Sequence, residues 1–147
     1  MKKPIIKFFD KIIFILLGFS GIFYGCPKYG MPEANYELKG TVTNKETSRP
    51  VKHIQITSQI PHYKSDTLYT NSNGQYNHQF REFYLIEPLH LKFEDIDGEE
   101  NGGEFISYEI DVDFSDAEQV KKGKGSWDHG SFLKIQNIEL EKKQSNE

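Results

Sequence analysis

From residue 35 onward, the chain alternates apolar and polar residues in short stretches that are separated by turn-forming residues. The longest alternation spans residues 105–114, and its apolar positions are Ile106, Tyr108, Ile110, Val112 and Phe114. A period of two residues is typical of a β-strand that is buried on one face. Ile54 and Ile56 share a face of one shorter stretch, and Leu91 and Phe93 share a face of another. The pattern predicts an all-β domain, an antiparallel Greek-key sandwich of about seven strands.

Two segments near the C-terminus have less regular patterns. The sequence "SDAEQVKK" at residues 115–122 predicts one or two helical turns on a crossing connection. The last strand is predicted over residues 132–140, and its parity changes between Ile135 and Ile138, which indicates a β-bulge. The polar residues 142–147 are predicted to form a flexible tail.

The first 25 residues differ in composition from the rest of the chain and predict a helical signal peptide. Four lysines precede residue 12, and residues 12–24 contain no charge. This apolar run of 13 residues is shorter than the ~20 that span a bilayer and lies within the ~7–15 of a signal-peptide core. Gly25 and Cys26 follow directly, as in bacterial lipoprotein signals. We therefore expect acylation of Cys26, a tether over 26–34 and the sandwich over 35–141.

Three other interpretations of this segment stay open. Cleavage near Ser20 would release a secreted protein, and an uncleaved segment would itself anchor the chain. A cytosolic protein with an apolar N-terminus and a buried Cys26 is the third. Acylation differs from these alternatives in how it holds the protein. One acyl chain gives only marginal membrane binding, whereas two or more hold a protein stably at the membrane.

Composition and charge narrow the function classes for this chain of 147 residues and 17.1 kDa. The length fits one domain, and a single cysteine excludes an intrachain disulfide framework. Residues 1–25 hold four lysines and one aspartate, so that their removal changes the formal net charge from −4 to −7. Nucleic-acid binding needs clustered lysine and arginine, so an acidic mature chain argues against it.

Residues 37–80 contain a motif of turn and strand positions: Gly40, Thr47, Pro50, Val51, Ile54, Ile56, Thr70, Gly74 and Tyr76. In this motif the chain resembles carboxypeptidase regulatory-like domains, although Asn71 stands where that family usually has aspartate. The resemblance implies a transthyretin-like sandwich of seven strands. It also implies a module without enzymatic activity, of the accessory or adhesive kind that occurs in exported proteins.

A second resemblance covers nearly the whole chain. The lipoprotein-like start is followed by "YGMPEANYELKGTVT", by "DIDGEENGGEF" and by "GKGSWDHG". With these motifs the chain resembles the radical SAM-associated lipoproteins of Bacteroidetes type. The resemblance implies an exported, lipid-anchored protein of the bacterial cell envelope, at the outer membrane and either periplasmic or surface-exposed. It further implies that a radical SAM enzyme is a partner, with this chain as its substrate or client.

The loop "DIDGEENGGE" at residues 95–104 is rich in oxygen-bearing side chains. Calcium prefers six to eight oxygen ligands on a flexible loop, so Asp95, Asp97, Asn101 and Glu104 are candidate calcium ligands. Their spacing differs from that of an EF-hand. Two other interpretations stay open, namely a solvated acidic hairpin loop and a recognition or modification loop for a partner enzyme. No other cofactor is expected.

The loop "GKGSWDHG" joins the single tryptophan of the chain, Trp127, to Asp128 and His129. The three residues are candidates for recognition or modification, and Trp127 could stack on a sugar. An aspartate beside a histidine is also compatible with acid–base chemistry or metal binding. The alternative is a turn in which Trp127 packs over the end of the sandwich.

Three functional hypotheses follow, and none assigns a catalytic residue. The first is a membrane-anchored lipoprotein without enzymatic activity, as a client of a radical SAM enzyme. The second is a cell-surface module that binds a glycan or a protein, with an exposed cluster of Trp127 and tyrosines. The third is a small hydrolase, which would need a histidine and a carboxylate to converge on a serine or a metal. The segment "HYKSD" at residues 62–66 holds these residue types but no spacing that indicates a site.

Overall fold

The structure is a computed structural model that describes residues 31–60, 65–83 and 87–144. The predicted signal helix, Cys26 and most of the predicted tether lie outside these residues. Among the residues described, no helix has the length and apolar character needed to cross a membrane.

Nine β-strands and one short 3-10 turn at Glu100–Gly102 make up the secondary structure of the described residues. The strands in chain order are β1 (Glu33–Asn44), β2 (Ile54–Gln59), β3 (Ser65–Tyr69), β4 (Gln75–Phe83), β5 (Leu89–Asp95), β6 (Tyr108–Val112), β7 (Glu118–Lys122), β8 (Asp128–Ile135) and β9 (Ile138–Leu140). They form two sheets, which confirms the all-β sandwich. The number of strands is higher than the predicted seven.

Sheet I has the strand order β4-β1-β8-β7, and β9 pairs with the second half of β1. β1 is antiparallel to β4 but parallel to both β8 and β9. The predicted antiparallel arrangement holds for the other strand pairs, and the pairs of β1 with β8 and with β9 are the two exceptions. The reason is the hairpin of β7 and β8. After this hairpin, β8 lies beside β1 and runs in the same direction as β1.

Sheet II has the order β3-β2-β5-β6, and all its pairs are antiparallel. Its inward positions carry the predicted apolar residues, and Ile54, Ile56, Leu91 and Phe93 are each at most 1% exposed. Tyr76 of β4 packs edge-on against Phe93 at 5.8 Å between ring centroids, which joins the two sheets. The period-two prediction of the core is confirmed for this sheet.

The sandwich has two ends, which we call proximal and distal. The proximal end is where β1 begins, where β4 ends and where β8 begins with the preceding loop 123–127. The bridge between Thr43 and Pro50 places the start of β2 at the distal end. Because Asp95 of β5 pairs with Ile54, the loop at residues 96–107 is also distal.

The prediction for residues 105–114 is only half right. Val112 and Phe114 are buried as expected, but Ile106 is 49% exposed and Tyr108 is 41% exposed. β6 is the edge strand of sheet II, so no further strand lies beside it. In sheet I, the strand next to β1 after Ile135 is β9, which has only three residues. Nothing in the described residues covers the two side chains, which line an open hollow of about 420 Å³.

The expected helical turns at 115–122 and the continuous last strand are also wrong. Residues 118–122 form β7, because pairing with β8 satisfies their backbone. The parity change near Ile135 takes the form of a break between β8 and β9 rather than a bulge within one strand. At this break the Gln136 N–H donates to the Lys39 carbonyl at 2.8 Å, and Tyr76 Oη donates to the Gln136 carbonyl at 2.6 Å.

The ordered chain continues past the predicted domain boundary at 141. Lys142 forms a β-bridge with Phe105, and the Lys143 N–H donates to the Glu104 carbonyl at 2.8 Å. These two residues of the predicted tail therefore have backbone partners in the distal loop.

The turn positions of the motif at residues 37–80 hold together the distal turn between β3 and β4. The Thr70 hydroxyl donates to the Val51 carbonyl at 2.9 Å and accepts from the Ile54 N–H at 3.0 Å. Asn71 Oδ1 accepts from the N–H groups of Asn73 and Gln75 at 2.9 and 3.0 Å. An amide oxygen thus does what an aspartate would do at this turn. These residues serve the fold.

Candidate functional site

The carboxylate of Asp95 organises the acidic distal loop. Its Oδ1 accepts from the N–H groups of Asp97 and Gly98 at 3.1 and 3.2 Å, and its Oδ2 accepts from the Phe105 N–H at 2.9 Å. Burial raises the pKa of Asp95, the Phe105 N–H opposes this rise, and the neighbouring Asp97 carboxyl adds to it. Both oxygens of the first candidate calcium ligand are therefore engaged by the backbone.

Of the other three candidate calcium ligands, Asp97 lies beside Asp95 and contacts Asn101, whereas Glu104 is paired elsewhere. Asp97 Oδ2 accepts from the Asn101 amide and lies 3.5 Å from Nδ1 of His53. Glu104 instead pairs with Lys143 at 2.7 Å. Within the described ranges, no three His, Cys, Asp or Glu side chains are arranged to hold a metal ion.

The loop that carries Trp127 is built in a similar way around Asp128. Asp128 Oδ1 accepts from the Gly130 N–H at 2.8 Å, and Oδ2 accepts from the Lys124 N–H at 3.2 Å. These backbone donors hold the pKa of Asp128 below its usual range. Asp128 thus closes a turn, which removes the reason to treat it as an acid–base partner of His129.

Trp127 is 53% exposed, so that it does not close the end of the sandwich as a buried residue. Its carbonyl accepts from the Glu33 N–H at 3.1 Å, which places it beside the start of β1. The exposed tyrosines Tyr69 and Tyr108 lie on opposite edge strands of sheet II. The structure therefore does not bring Trp127 and these tyrosines into the predicted aromatic cluster.

The structure does bring a serine, a histidine and a carboxylate together, at residues the sequence analysis missed. Ser58 Oγ lies 2.9 Å from Nε2 of His78, and Nδ1 of His78 lies 3.7 Å from Oδ2 of Asp66. The three side chains come from β2, β4 and β3 and bridge the two sheets. Burial lowers the pKa of His78, and the charge of Asp66 opposes this effect.

The exposure of these three residues is the reverse of what a hydrolase needs. Ser58 is fully buried at 0% and His78 is 4% exposed, whereas the Asp66 side chain is 65% exposed. A nucleophilic serine must meet its substrate, and the carboxylate that orients the histidine is usually the buried member. The group is a polar cross-link between the sheets. Strand parity could have found it, because Ser58 continues the inward positions Ile54 and Ile56.

The outer face of sheet I carries an ordered cluster of amide and carboxylate groups, which we call the Glu37 cluster. Glu37 Oε1 accepts from the side-chain amides of Asn77 and Gln79 at 3.1 and 2.8 Å, and it pairs with Lys39 at 2.9 Å. The hydrogen bond from Lys39 and then that from Gln79 lower the pKa of Glu37.

Two shallow hollows adjoin the Glu37 cluster. One of about 390 Å³ is lined by Glu37 and Gln79, and one of about 450 Å³ is lined by Lys39 and Asn77. Their walls present hydrogen-bonding side chains on a rigid sheet. The signal in the sequence is the run of polar residues at the outward positions of β1 and β4.

No protein-family model and no curated protein matches the chain. Among solved structures, it is similar to a putative carbohydrate binding protein from Bacteroides uniformis, with 15% identity over 71% of this chain and a TM-score of 0.40. It is also similar to a putative membrane-associated protein of unknown function from Bacteroides fragilis, with 20% identity over 78% of this chain and a TM-score of 0.43. The chain spans 40% and 30% of the lengths of these two proteins.

Proposed function

We propose that the chain is an exported lipoprotein of the bacterial cell envelope, acylated at Cys26, whose sandwich has no enzymatic activity. The observation that carries this proposal is the order of the N-terminal features. A basic start, an uncharged run of 13 residues and Gly25-Cys26 directly precede a sandwich whose first strand begins at Glu33. An acyl anchor at this place would leave the sandwich on a short tether.

The chemistry of the described residues supports a role without catalysis. Ser58 and His78 are buried between the sheets, and the carboxylates of Asp95 and Asp128 accept hydrogen bonds from backbone N–H groups. In the loops at residues 95–104 and 123–130, Asp95 and Asp128 are therefore used to hold the loop backbone.

The finer part of the proposal is that the lipoprotein is a client of a radical SAM enzyme. It rests on the sequence resemblance, in particular on the loops at residues 95–104 and 123–130. Both loops lie at an end of the sandwich. The loop at 123–130 is mostly exposed, and the loop at 95–104 is exposed at Ile96, Glu99, Glu100 and Gly102, so an enzyme could reach them. A modification would appear as a mass shift in one of the two loop peptides.

Replacement of Cys26 by serine tests the anchor. We expect Cys26→Ser to abolish acylation, because the acyl acceptor is lost, and to leave residues 1–25 on the chain, because a lipoprotein signal is cut before the modified cysteine. Mass spectrometry of the wild-type protein from its native membrane should show a mature chain that begins at an acylated Cys26.

The matched control is Ser20→Ala, which alters the other cleavage position and should leave the mature mass and the membrane location unchanged. An unmodified chain cut near Ser20, or a Cys26→Ser variant that is still cut before residue 26, would contradict the lipoprotein proposal.

A second candidate function is the binding of a glycan or a surface protein, and the Glu37 cluster favours it. Amide and carboxylate side chains whose orientation is already set by hydrogen bonds lose little conformational entropy when they bind sugar hydroxyls. Glu37, Asn77 and Gln79 have this arrangement on a flat face.

Binding to an immobilised glycan array tests the second candidate. If the Glu37 cluster binds, Glu37→Ala should weaken saturable binding about tenfold or more, because a hydrogen bond to a charged group contributes about 1.5–3 kcal/mol. Glu94→Ala is the control, since Glu94 makes an equivalent pair with Lys92 at 2.7 Å on the other sheet. Equal effects of both variants, or no saturable binding, would exclude this face as a glycan site.

A further inference from the structure

Two exposed apolar side chains lie at the proximal end of the sandwich. Met31 is 55% exposed and Trp127 is 53% exposed. The hydrogen bond from the Glu33 N–H to the Trp127 carbonyl at 3.1 Å joins the start of β1 to this loop. The place where the chain enters the sandwich is thus also the place where its tryptophan meets solvent.

The loop holds Trp127 in a defined position. A Cβ atom on Gly123 would lie 1.7 Å from the Asp128 carbonyl oxygen, and one on Gly130 would lie 2.0 Å from the Lys121 carbonyl oxygen. The two backbone segments therefore approach more closely than any other residue type allows. The Asp128 carboxylate also accepts hydrogen bonds from two backbone N–H groups of this loop. The close backbone packing and these hydrogen bonds place Trp127 on a rigid turn.

Three lysines lie on the hairpin that carries the exposed tryptophan. Lys121, Lys122 and Lys124 are all exposed on the same hairpin, and Arg81 is exposed beside Glu33 with an ion pair of 2.7 Å. Tryptophan and lysine are the residues that favour the headgroup region of a bilayer, where an indole ring meets both apolar and polar surroundings and an ammonium group meets phosphate.

The length of the tether places this end at the membrane. Cys26 precedes Glu33 by seven residues, and an extended chain of that length spans at most about 25 Å. Acyl chains on Cys26 lie in the bilayer, so the start of β1 must stay within that distance of the headgroups.

We propose that the proximal end of the sandwich contacts the lipid headgroups, with Trp127 and Met31 in the interface and the neighbouring lysines at the phosphates. This inference rests on the proposed anchor at Cys26. It orients the sandwich so that the distal end, with the loop at residues 95–104, faces away from the membrane. The distal loop is then the part of the chain that a partner protein meets first.

Fluorescence of Trp127 tests the orientation, because it is the single tryptophan of the chain. The full protein, purified from its membrane, is reconstituted into vesicles of phosphatidylethanolamine and phosphatidylglycerol, with and without brominated lipids that quench indole emission on contact. We expect a blue-shifted emission and a loss of most of the Trp127 signal with brominated lipid.

The control is the double variant Trp127→Phe, Tyr108→Trp, which moves the fluorophore to an exposed position near the distal end. Its emission should be unchanged by brominated lipid. Equal quenching of both proteins, or an unquenched Trp127 in protein that co-sediments with the vesicles, would overturn the orientation. Wild-type protein that does not co-sediment with vesicles would instead overturn the anchor at Cys26, so the two failures are distinguishable.

Discussion

Substitution of Gly40 by alanine is expected to lower the free energy of unfolding by about 3 kcal/mol, at the upper end of the usual cost of overpacking. A Cβ at this position would lie 1.8 Å from the Gln136 carbonyl oxygen and 2.7 Å from the Tyr76 ring. The close contact is with backbone, so no side-chain rotation relieves it. The segment between β8 and β9 would have to move away from β1.

That movement would also break the hydrogen bond of a buried phenol. Tyr76 is 4% exposed, and its Oη donates to the Gln136 carbonyl at 2.6 Å. Burial raises the pKa of Tyr76 well above its usual value, so the hydroxyl keeps its proton at any ordinary pH. A displaced Gln136 carbonyl would leave this donor without its partner, which adds to the steric cost.

Urea denaturation followed by circular dichroism measures the effect, with Gly98→Ala as the control. Gly98 has a positive φ of 66° and no atom within 4 Å of its would-be Cβ, so its substitution adds backbone strain of about 1–2 kcal/mol without a clash. If Gly40→Ala costs no more than Gly98→Ala, the packing of Gln136 on Gly40 is not a determinant of stability.

Acidification is expected to destabilise the sandwich through His78. Burial lowers the pKa of His78 in the folded state, while in the unfolded state it is about 6.5. Between these two values the unfolded chain binds more protons, so stability rises with pH in this window. The contribution of His78 is therefore full above pH ~6.5 and declines as the pH falls below it, until the folded pKa is passed.

Variants of the Ser58–His78 pair separate the hydrogen bond from the titration. Each buried side-chain nitrogen and oxygen in the described residues has a partner, so Ser58→Ala would leave Nε2 of His78 without its partner and cost about 1–3 kcal/mol. The double variant Ser58→Ala, His78→Leu replaces both polar groups, so we expect it to be more stable than Ser58→Ala alone at pH 8. It should also lose the pH dependence assigned to His78.

The free energy of unfolding of the wild type and of these variants is measured from pH 4.5 to 8. His53→Asn is the control, because the His53 side chain is 62% exposed and its φ of 62° suits asparagine. Below pH 7 the double variant should show a shallower slope than the wild type, and at pH 8 His53→Asn should leave the free energy of unfolding nearly unchanged. A double variant with the wild-type slope would assign the acid sensitivity to other groups.

Alternation in the sequence predicted the core within β2 and β5 and failed just before β6, where Phe105 is buried instead of Ile106. Ile54, Ile56, Leu91 and Phe93 are buried because strands of sheet I lie opposite their inward face. Ile106 belongs to the alternating stretch at residues 105–114 but remains 49% exposed. The period of two residues determines the face of a strand on which a side chain lies, while burial depends on what covers that face.

The candidate sites also show a difference between what residue type predicts and what the fold determines. The sequence analysis selected the loops around Asp95 and Asp128 for their chemistry, but the structure places their carboxylates on backbone N–H groups within the same loops. It missed Ser58 and His78, which lie 20 residues apart in the chain and 2.9 Å apart in the fold. Residue type alone does not reveal which carboxylates are used by a turn and which are free for a ligand.

By itself, the sequence determined the strand-forming stretches other than β7, the inward faces of β2 and β5, and the turn at Asn71, because these depend on side-chain period and on hydrogen bonds between near neighbours. It also contains the pattern from which the anchor at Cys26 is proposed. Only the tertiary structure decided that β8 and β9 run parallel to β1, that Ser58 meets His78, and that Trp127 lies beside the start of β1. Each of these outcomes depends on contacts between residues distant in the chain, and such contacts leave no local periodicity.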